Sequence, residues 1–281
     1  MKKEQLSQFE GISLKEMQQL LLDDLKAFHK ACEELNCRYC LTFGSLLGAV
    51  RHDGFIPWDD DVDVYMPRED YIRFMKYGEE KLGKNYFIQT AQTDKHYKIL
   101  HIPAKIRSNS STLIEEWNVK YHQGSFIDIF TLDYIGNDEK DFTKIHKKCA
   151  FLQSLKMRIS FKELSGIKKY IRIALQLIFK LIPAKAIDSY IQKQVAKFSD
   201  NKTSFNGRIY DGIDSIQKDS FDEKDIFPLK LHKFEDCELY VPNHPENILP
   251  VWYSNYNELP SEEQRIPHGY FYSDRNYKEF I

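Results

Sequence analysis

Residues 41–74 read LTFGSLLGAVRHDGFIPWDDDVDVYMPREDYIRF, and the fold turns on two parts of this stretch. In Asp61-Val62-Asp63-Val64-Tyr65, β-branched and aromatic residues favour a strand, and side chains at i and i+2 share a face. Asp61 and Asp63 are therefore expected to point together, ~6–7 Å apart along the strand, with Val62 and Val64 on the opposite side. Such a pair holds a hard cation through oxygen ligands, and without one the carboxylates repel. Upstream, Arg38–Phe43 is a short, mostly apolar run ending at Gly44-Ser45. Leu46, Leu47, Ala49 and Val50 then follow at helical spacing, which reads as strand, tight turn, helix. Gly44 lets the backbone approach a ligand. Ser45 either caps the helix or offers its hydroxyl, and the free N–H groups of a helix start suit a phosphate.

Working outward, Ser13-Leu14-Lys15-Glu16 forms a capping-box pattern. Met17, Leu21, Leu25, Phe28, Cys32 and Leu35 recur at three- and four-residue intervals, predicting an amphipathic helix that ends near Asn36. A second helix is expected from about Arg68, with Pro67 in its first turn and Tyr71, Ile72, Phe74 and Met75 on its apolar face. Phe126-Ile127-Asp128-Ile129-Phe130 puts one carboxylate in an otherwise apolar strand, which is costly unless the charge is paired or liganded. Asp128 is thus a third metal carboxylate, the acceptor of a proton from an attacking hydroxyl, or a salt-bridged core residue.

The chain has 281 residues, 42% of them hydrophobic, and a net charge of −2. That length suits one globular unit, and the charge balance argues against nucleic-acid binding, which needs a basic face. The N-terminal MKKEQLSQFEG has no apolar core, and no run approaches the ~18–20 apolar residues of a membrane span. A cytoplasmic location is expected, with peripheral contact at the inner face of the membrane as an option. Five cysteines fit a reducing compartment, and Cys37 and Cys40 read as buried thiols rather than half of a zinc site. In Ile167–Ile182, IKKYIRIALQLIFKLI, Lys168, Lys169, Arg172, Gln176 and Lys180 align and the remainder is nearly all apolar. Such a helix either lies on an anionic membrane surface or packs on its own core with a solvated basic stripe. From Val241 onward five prolines suggest ordered loops wrapping the core.

GSLLGAVRHDGFIPWDDDVDVYMPREDY, the stretch AKIRSNSSTLIEEWNVKYHQGSFIDIFTLD at 104–133 and PVWYSNYNELPSEEQRIPH at 250–268 together resemble the LicD family of phosphotransferases. That family is similar to the nucleotidyltransferase superfamily, with its Gly-Ser turn and Asp-x-Asp strand. The resemblance spans about residues 14–268 and is loose from about 136 to 225. It implies an α+β fold in which a nucleotidyltransferase-like mixed β-sheet carries the metal aspartates, flanked by helices and with a helical insertion. It implies one catalytic domain over 1–281, made of a core (1–135), a mainly helical insertion (136–225) and a Pro/Tyr-rich segment closing on the core (226–281).

The same resemblance implies Mg²⁺ or Mn²⁺ on Asp61, Asp63 and Asp128. Donor binding is expected of Gly44 and Ser45, of Arg51, Lys105 and Arg107 because a diphosphate carries more charge than one Mg²⁺ neutralises, unless these pair with Asp53, Asp59 or Asp60, and, by the resemblance, of Arg265 and His268. A CDP-linked alcohol would be the donor and a glycan or lipid-linked glycan the acceptor, with CMP released. Choline phosphate is the best-known cargo, ribitol phosphate is moved by fukutin-like relatives, and glycerol or ethanolamine phosphate are further options. Transfer of the nucleotide itself and a non-catalytic glycan- or nucleotide-binding role are the alternatives.

Overall fold

Helix α1 (Leu14–Leu35) begins and ends on its own sequence signals. Ser13 Oγ accepts from the Glu16 N–H, the Glu16 carboxylate accepts from the Ser13 N–H, and Asn36 closes the helix in the left-handed conformation. Met17, Leu21, Leu25, Phe28 and Cys32 are buried along one face. The computed structural model to which this helix belongs describes residues 9–117, 119–135, 139–156, 166–198, 204–206 and 220–280.

The elements that follow are β1 (Cys40–Leu41), α2 (Phe43–His52), β2 (Asp63–Pro67), α3 (Arg68–Leu82), β3 (Tyr86–Gln89), β4 (Ala104–Ser108), β5 (Thr112–Ile114) and β6 (Phe126–Tyr134). The main sheet runs β1-β2-β6-β4-β3. β2 and β6 are parallel and the other neighbours antiparallel, so the sheet is mixed. Helices α4 (Glu139–Ser154), α5 (Gly166–Lys180) and α6 (Ala184–Val195) come next. β7 (Ser204–Asn206) extends the sheet from the end of β6 and pairs with β8 (Ser220–Asp222). Helix α7 (Glu223–Ile226), the hairpin β9 (Lys230–Phe234) and β10 (Cys237–Val241), α8 (Pro245–Trp252) and β11 (Phe271–Ser273) complete the chain. β11 pairs with β5, which brings the C-terminal segment back to the middle of the sequence. The architecture is α+β.

Several local expectations need correction. The aspartate strand begins at Asp63, not Asp61, and its pairing with β6 opens with the Asp128 N–H donating to the Val62 carbonyl at 2.7 Å. Three successive aspartates before Val62 are held by turns and by the C-terminal segment instead of by a sheet ladder. α2 already starts at Phe43, so Gly44 and Ser45 lie inside its first turn and Thr42 occupies the cap position without a side-chain bond. Pro67 precedes α3 rather than entering it, and Ile72 is exposed, because the core-facing positions are Tyr71, Phe74 and Gly78. The proline-rich C-terminal part includes a helix, α8, with Pro245 at its start, where a missing N–H costs nothing.

The principal core lies where α1, α2 and α3 pack on the sheet, with Phe28, Leu46, Val64, Phe74, Ile106 and Ile127 fully covered. A second apolar cluster joins α4 and α6 through Phe142, Cys149, Ile187, Ile191 and Val195. All five cysteines are free, and Cys32, Cys37, Cys40 and Cys149 are buried. Among the described residues no helix is long and apolar enough to cross a membrane.

Candidate active site

The edge of the sheet where β2 and β6 begin opens into a cleft of about 1220 Å³. Register places its central residues in a row, with Asp63 opposite Asp128 and Asp128 opposite Lys105 on the next strand. Residues in register on neighbouring strands lie about 5 Å apart, which puts two carboxylates and an ammonium side by side at the cleft floor. Lys105 Nζ stands 2.9 Å from Asp128 Oδ1 and 3.5 Å from Glu115 Oε2. Both Lys105 and Asp128 are almost wholly buried, so each depends on the other for compensation.

The loop before β2 supplies the second half of the site. One ligand atom from each of Asp59, Asp61 and His268 lies within 4.8 Å of the others. Gly44 is what allows Asp59 to be there, since a Cβ at this position would meet Asp59 Oδ2 at 2.9 Å. Ser45 is buried and its Oγ accepts the Asp63 N–H at 2.9 Å, tying the first turn of α2 to the first residue of β2. Phe43, just before it, has φ 45°. A bulky residue in this region is strained, and here contacts with Tyr65, Phe130 and Trp252 hold it.

Asp60 ties this cluster to the C-terminal segment, its Oδ1 lying 3.5 Å from His268 Nδ1. It is buried and accepts from the His268 N–H (3.1 Å), the Gly269 N–H (2.5 Å) and the Tyr272 hydroxyl (2.7 Å). Burial alone would raise its carboxyl, but these bonds outweigh it and hold the value below the usual range. Asp60 thereby clamps the C-terminal segment over the cleft. The His268 imidazole is pushed up to about 9, first by its bond to Asp60 and then by the charge of Asp61.

The other acids behave oppositely. Burial, followed by the charges of their neighbours, drives Asp59 and Asp63 well above the ordinary carboxyl value and raises Asp61. Burial takes Asp128 to about 7 against the pull of Lys105. Carboxyls set this close resist ionisation together, and a positive charge among them would favour their ionised forms. The donors are oxygen-rich, as a hard divalent cation prefers, and Asp59, Asp61, Asp63 and Asp128 are the residues that could share it.

Of the residues expected from sequence, Gly44, Arg51, Asp61, Asp63, Lys105, Asp128 and His268 line the cleft. Arg51 donates to the carbonyls of Tyr256 (3.2 Å) and Glu258 (3.3 Å), so it braces the far wall. Arg265 lies over Trp58, which itself lines the cleft, with the guanidinium 5.4 Å from the ring centroid. Arg107 is turned into the core, bonded to Gln89 and to the Gly124 carbonyl beneath Phe126. The sequence left Asp59 and Asp60 either as outer-shell ligands or as part of a solvated loop, and it did not single out Glu115. Asp59 and Asp60 stood in plain view in the Asp59–Asp63 run, whereas Glu115 carries no local signal.

A helix start, a row of carboxylates and a lysine thus meet in one cleft of about 1220 Å³. Residues 36–163 match the family model described as "LicD/FKTN/FKRP, nucleotidyltransferase domain". Over 265 residues the chain is 32% identical to the lipopolysaccharide cholinephosphotransferase LicD of Haemophilus influenzae, covering 92% of this chain and 96% of that protein. Uncharacterized proteins of Rickettsia typhi and Rickettsia prowazekii share 44% and 42% identity over 52 residues, 18% of this chain in each case. The chain belongs to the LicD family.

Proposed function

We propose that this protein is a divalent-cation-dependent phosphotransferase that moves a phospho-alcohol from a CDP-linked donor to a hydroxyl of a cell-surface glycan, releasing CMP. The observation that carries the reading is the convergence of Asp59, Asp61, Asp63, Asp128 and Lys105 in one cleft. The likeness to a lipopolysaccharide cholinephosphotransferase supports phosphocholine as cargo and a lipopolysaccharide-type glycan as acceptor.

Asp61, Asp63 and Asp128, with Asp59 beside them, would hold Mg²⁺ or Mn²⁺. Such an ion neutralises the diphosphate and the charge that develops on the leaving phosphate. Gly44 and the first turn of α2 leave backbone N–H groups free for phosphate oxygens, and Lys105 and His268 add cationic groups at the same wall. The acceptor hydroxyl attacks the phosphorus distal to the nucleoside, the bond to the CMP phosphate breaks, and the proton passes to a carboxylate. Asp128 would either take that proton or complete the metal site. Trp58, Tyr253 and Tyr256 give the cleft an aromatic wall for the donor's apolar or cationic end.

Incubation with CDP-choline, Mg²⁺ and a glycan acceptor, followed by product analysis, tests the proposal. Free CMP with phosphocholine on the glycan is the expected result. Nucleotide incorporated into the acceptor would instead establish nucleotidyl transfer, and no product from any CDP-alcohol would leave only a binding role.

A further inference from the structure

Helix α5 is amphipathic, but the structure turns it the opposite way from a helix packed on its own core. Ile167, Tyr170, Ile171, Leu177, Ile178 and Leu181 form one stripe at helical spacing, and all are exposed, Ile167 at 75%, Tyr170 at 72% and Leu181 at 85%. The opposite face meets the protein. Arg172 Nη2 donates to Ser154 Oγ at 2.7 Å, its guanidinium lies over Phe151, and Phe179 and Ile182 pack with α4 and α6. A soluble surface rarely leaves so long an apolar stripe uncovered without a partner for it.

We infer that this stripe seats the protein on the surface of an anionic lipid bilayer. The charge distribution selects that occupant. Residues 139–198 carry 14 Lys and Arg against four Asp and Glu, although the whole chain has 40 against 42. Lys144, Lys147, Lys148, Lys180, Lys185 and Lys193 are all exposed in this part of the fold. A second copy docking through the same stripe would bring two strongly cationic segments together, whereas an anionic surface attracts the segment that carries the stripe. With no helix among the described residues able to cross a membrane, α5 lies along the surface.

The contact also has a place relative to the cleft. Lys156 lines the cleft and donates to the carbonyls of Phe179 and Ile182, the last turn of α5 and the residues just after it. The bilayer-facing helix therefore ends at the cleft wall, and a surface-bound protein would present its cleft to acceptors anchored in that leaflet. Lipid binding itself is independent of the reaction proposed above.

Flotation of the full chain with vesicles tests the inference. Vesicles of phosphatidylglycerol and phosphatidylcholine in equal parts should carry the protein, phosphatidylcholine alone should bind it about tenfold or more weakly, and raised salt should release it. The paired substitution Ile171→Glu and Leu177→Glu should lower anionic-vesicle binding by about tenfold or more with an unchanged circular dichroism spectrum. Tyr170→Trp supplies a second readout, the added indole emission shifting to the blue and being quenched by brominated lipid. The inference is overturned if anionic vesicles do not bind, if the paired substitution leaves binding intact, or if the indole added by Tyr170→Trp is not quenched. It is equally overturned if sedimentation shows a dimer that the paired substitution dissolves.

Discussion

Asp63 and Asp128 face each other in register across the parallel strands β2 and β6, and of the two it is Asp128 that is paired with a cation, Lys105. At Asp63 burial, followed by the negative charges of Asp61, Asp128 and Asp59, outweighs the pull of Lys105 and pushes the carboxyl well above the ordinary range. The site is thus built at the expense of stability, a cost that the divalent cation proposed above would offset.

Neutralising Asp63 should separate stability from function. A carboxyl raised in the folded state contributes stability that is present at low pH and lost as pH rises through its folded value. At pH 8, Asp63→Asn should therefore raise the melting temperature of the metal-free protein, by about 2–4 °C for each kcal/mol relieved. Mg²⁺ should raise the wild-type melting temperature and shift that of the variant less. Thermal melts with and without Mg²⁺ decide this, and a wild type indifferent to Mg²⁺ would contradict it.

Ser45 is expected to act through Asp63. Ser45→Ala leaves the part-buried Asp63 N–H without its acceptor, at a cost of about 1–3 kcal/mol by chemical denaturation. Turnover should fall about tenfold or more, because the carboxylate at the start of β2 loses its anchor. Gly44→Ala should reduce turnover similarly by displacing Asp59, whose Oδ2 would lie 2.9 Å from the new Cβ.

The Asp60 clamp has a pH signature. His268 is raised from 6.5 to about 9, so its pairing with Asp60 stabilises fully below about pH 6.5 and fades as pH passes through 9. Proteolysis within 261–270 should accelerate between pH 7 and about 9.5. Asp60→Ala should remove the pH dependence and destabilise by about 2–4 kcal/mol, since the Tyr272 hydroxyl and two backbone N–H groups lose their acceptor.

Far from the cleft, Asp24 on α1 is raised by burial from 3.8 to about 6, although Ser125 Oγ donates to it at 2.7 Å. Its contribution to stability is complete below about pH 4 and lost as pH rises through 6. Asp24→Asn, which still accepts from Ser125, should stabilise the protein at pH 7.5 by about 1–3 kcal/mol and make little difference at pH 4. Denaturation midpoints at the two pH values check the sign.

What the sequence made legible was local. The capping box and spacing of α1, the helix after Pro67 and the carboxylate inside an apolar strand at Asp128 depend on near neighbours and appear as expected. What it hid depends on distant chain. Asp60 bonds Gly269 and Tyr272, more than 200 residues away, so the sequence leaves it between an outer-shell ligand and a solvated loop until the C-terminal segment is folded back. Lys105 and Arg107 share a strand face by their spacing. Only the register of β4 with β6 and β3 shows that Lys105 reaches Asp128 while Arg107 is enclosed by Gln89, Gly124 and Phe126. In α5 the periodicity fixed an amphipathic helix without indicating which face would be covered.

The most direct test of the central claim is CMP release from CDP-choline, CDP-ribitol and CDP-glycerol in the presence of a glycan acceptor, with Mg²⁺ or with chelator, for the wild type and Asp63→Ala. Mg²⁺-dependent CMP from one donor, matched by phospho-alcohol on the glycan and abolished by the substitution, is the predicted result. CMP release that persists in chelator or in Asp63→Ala would contradict it.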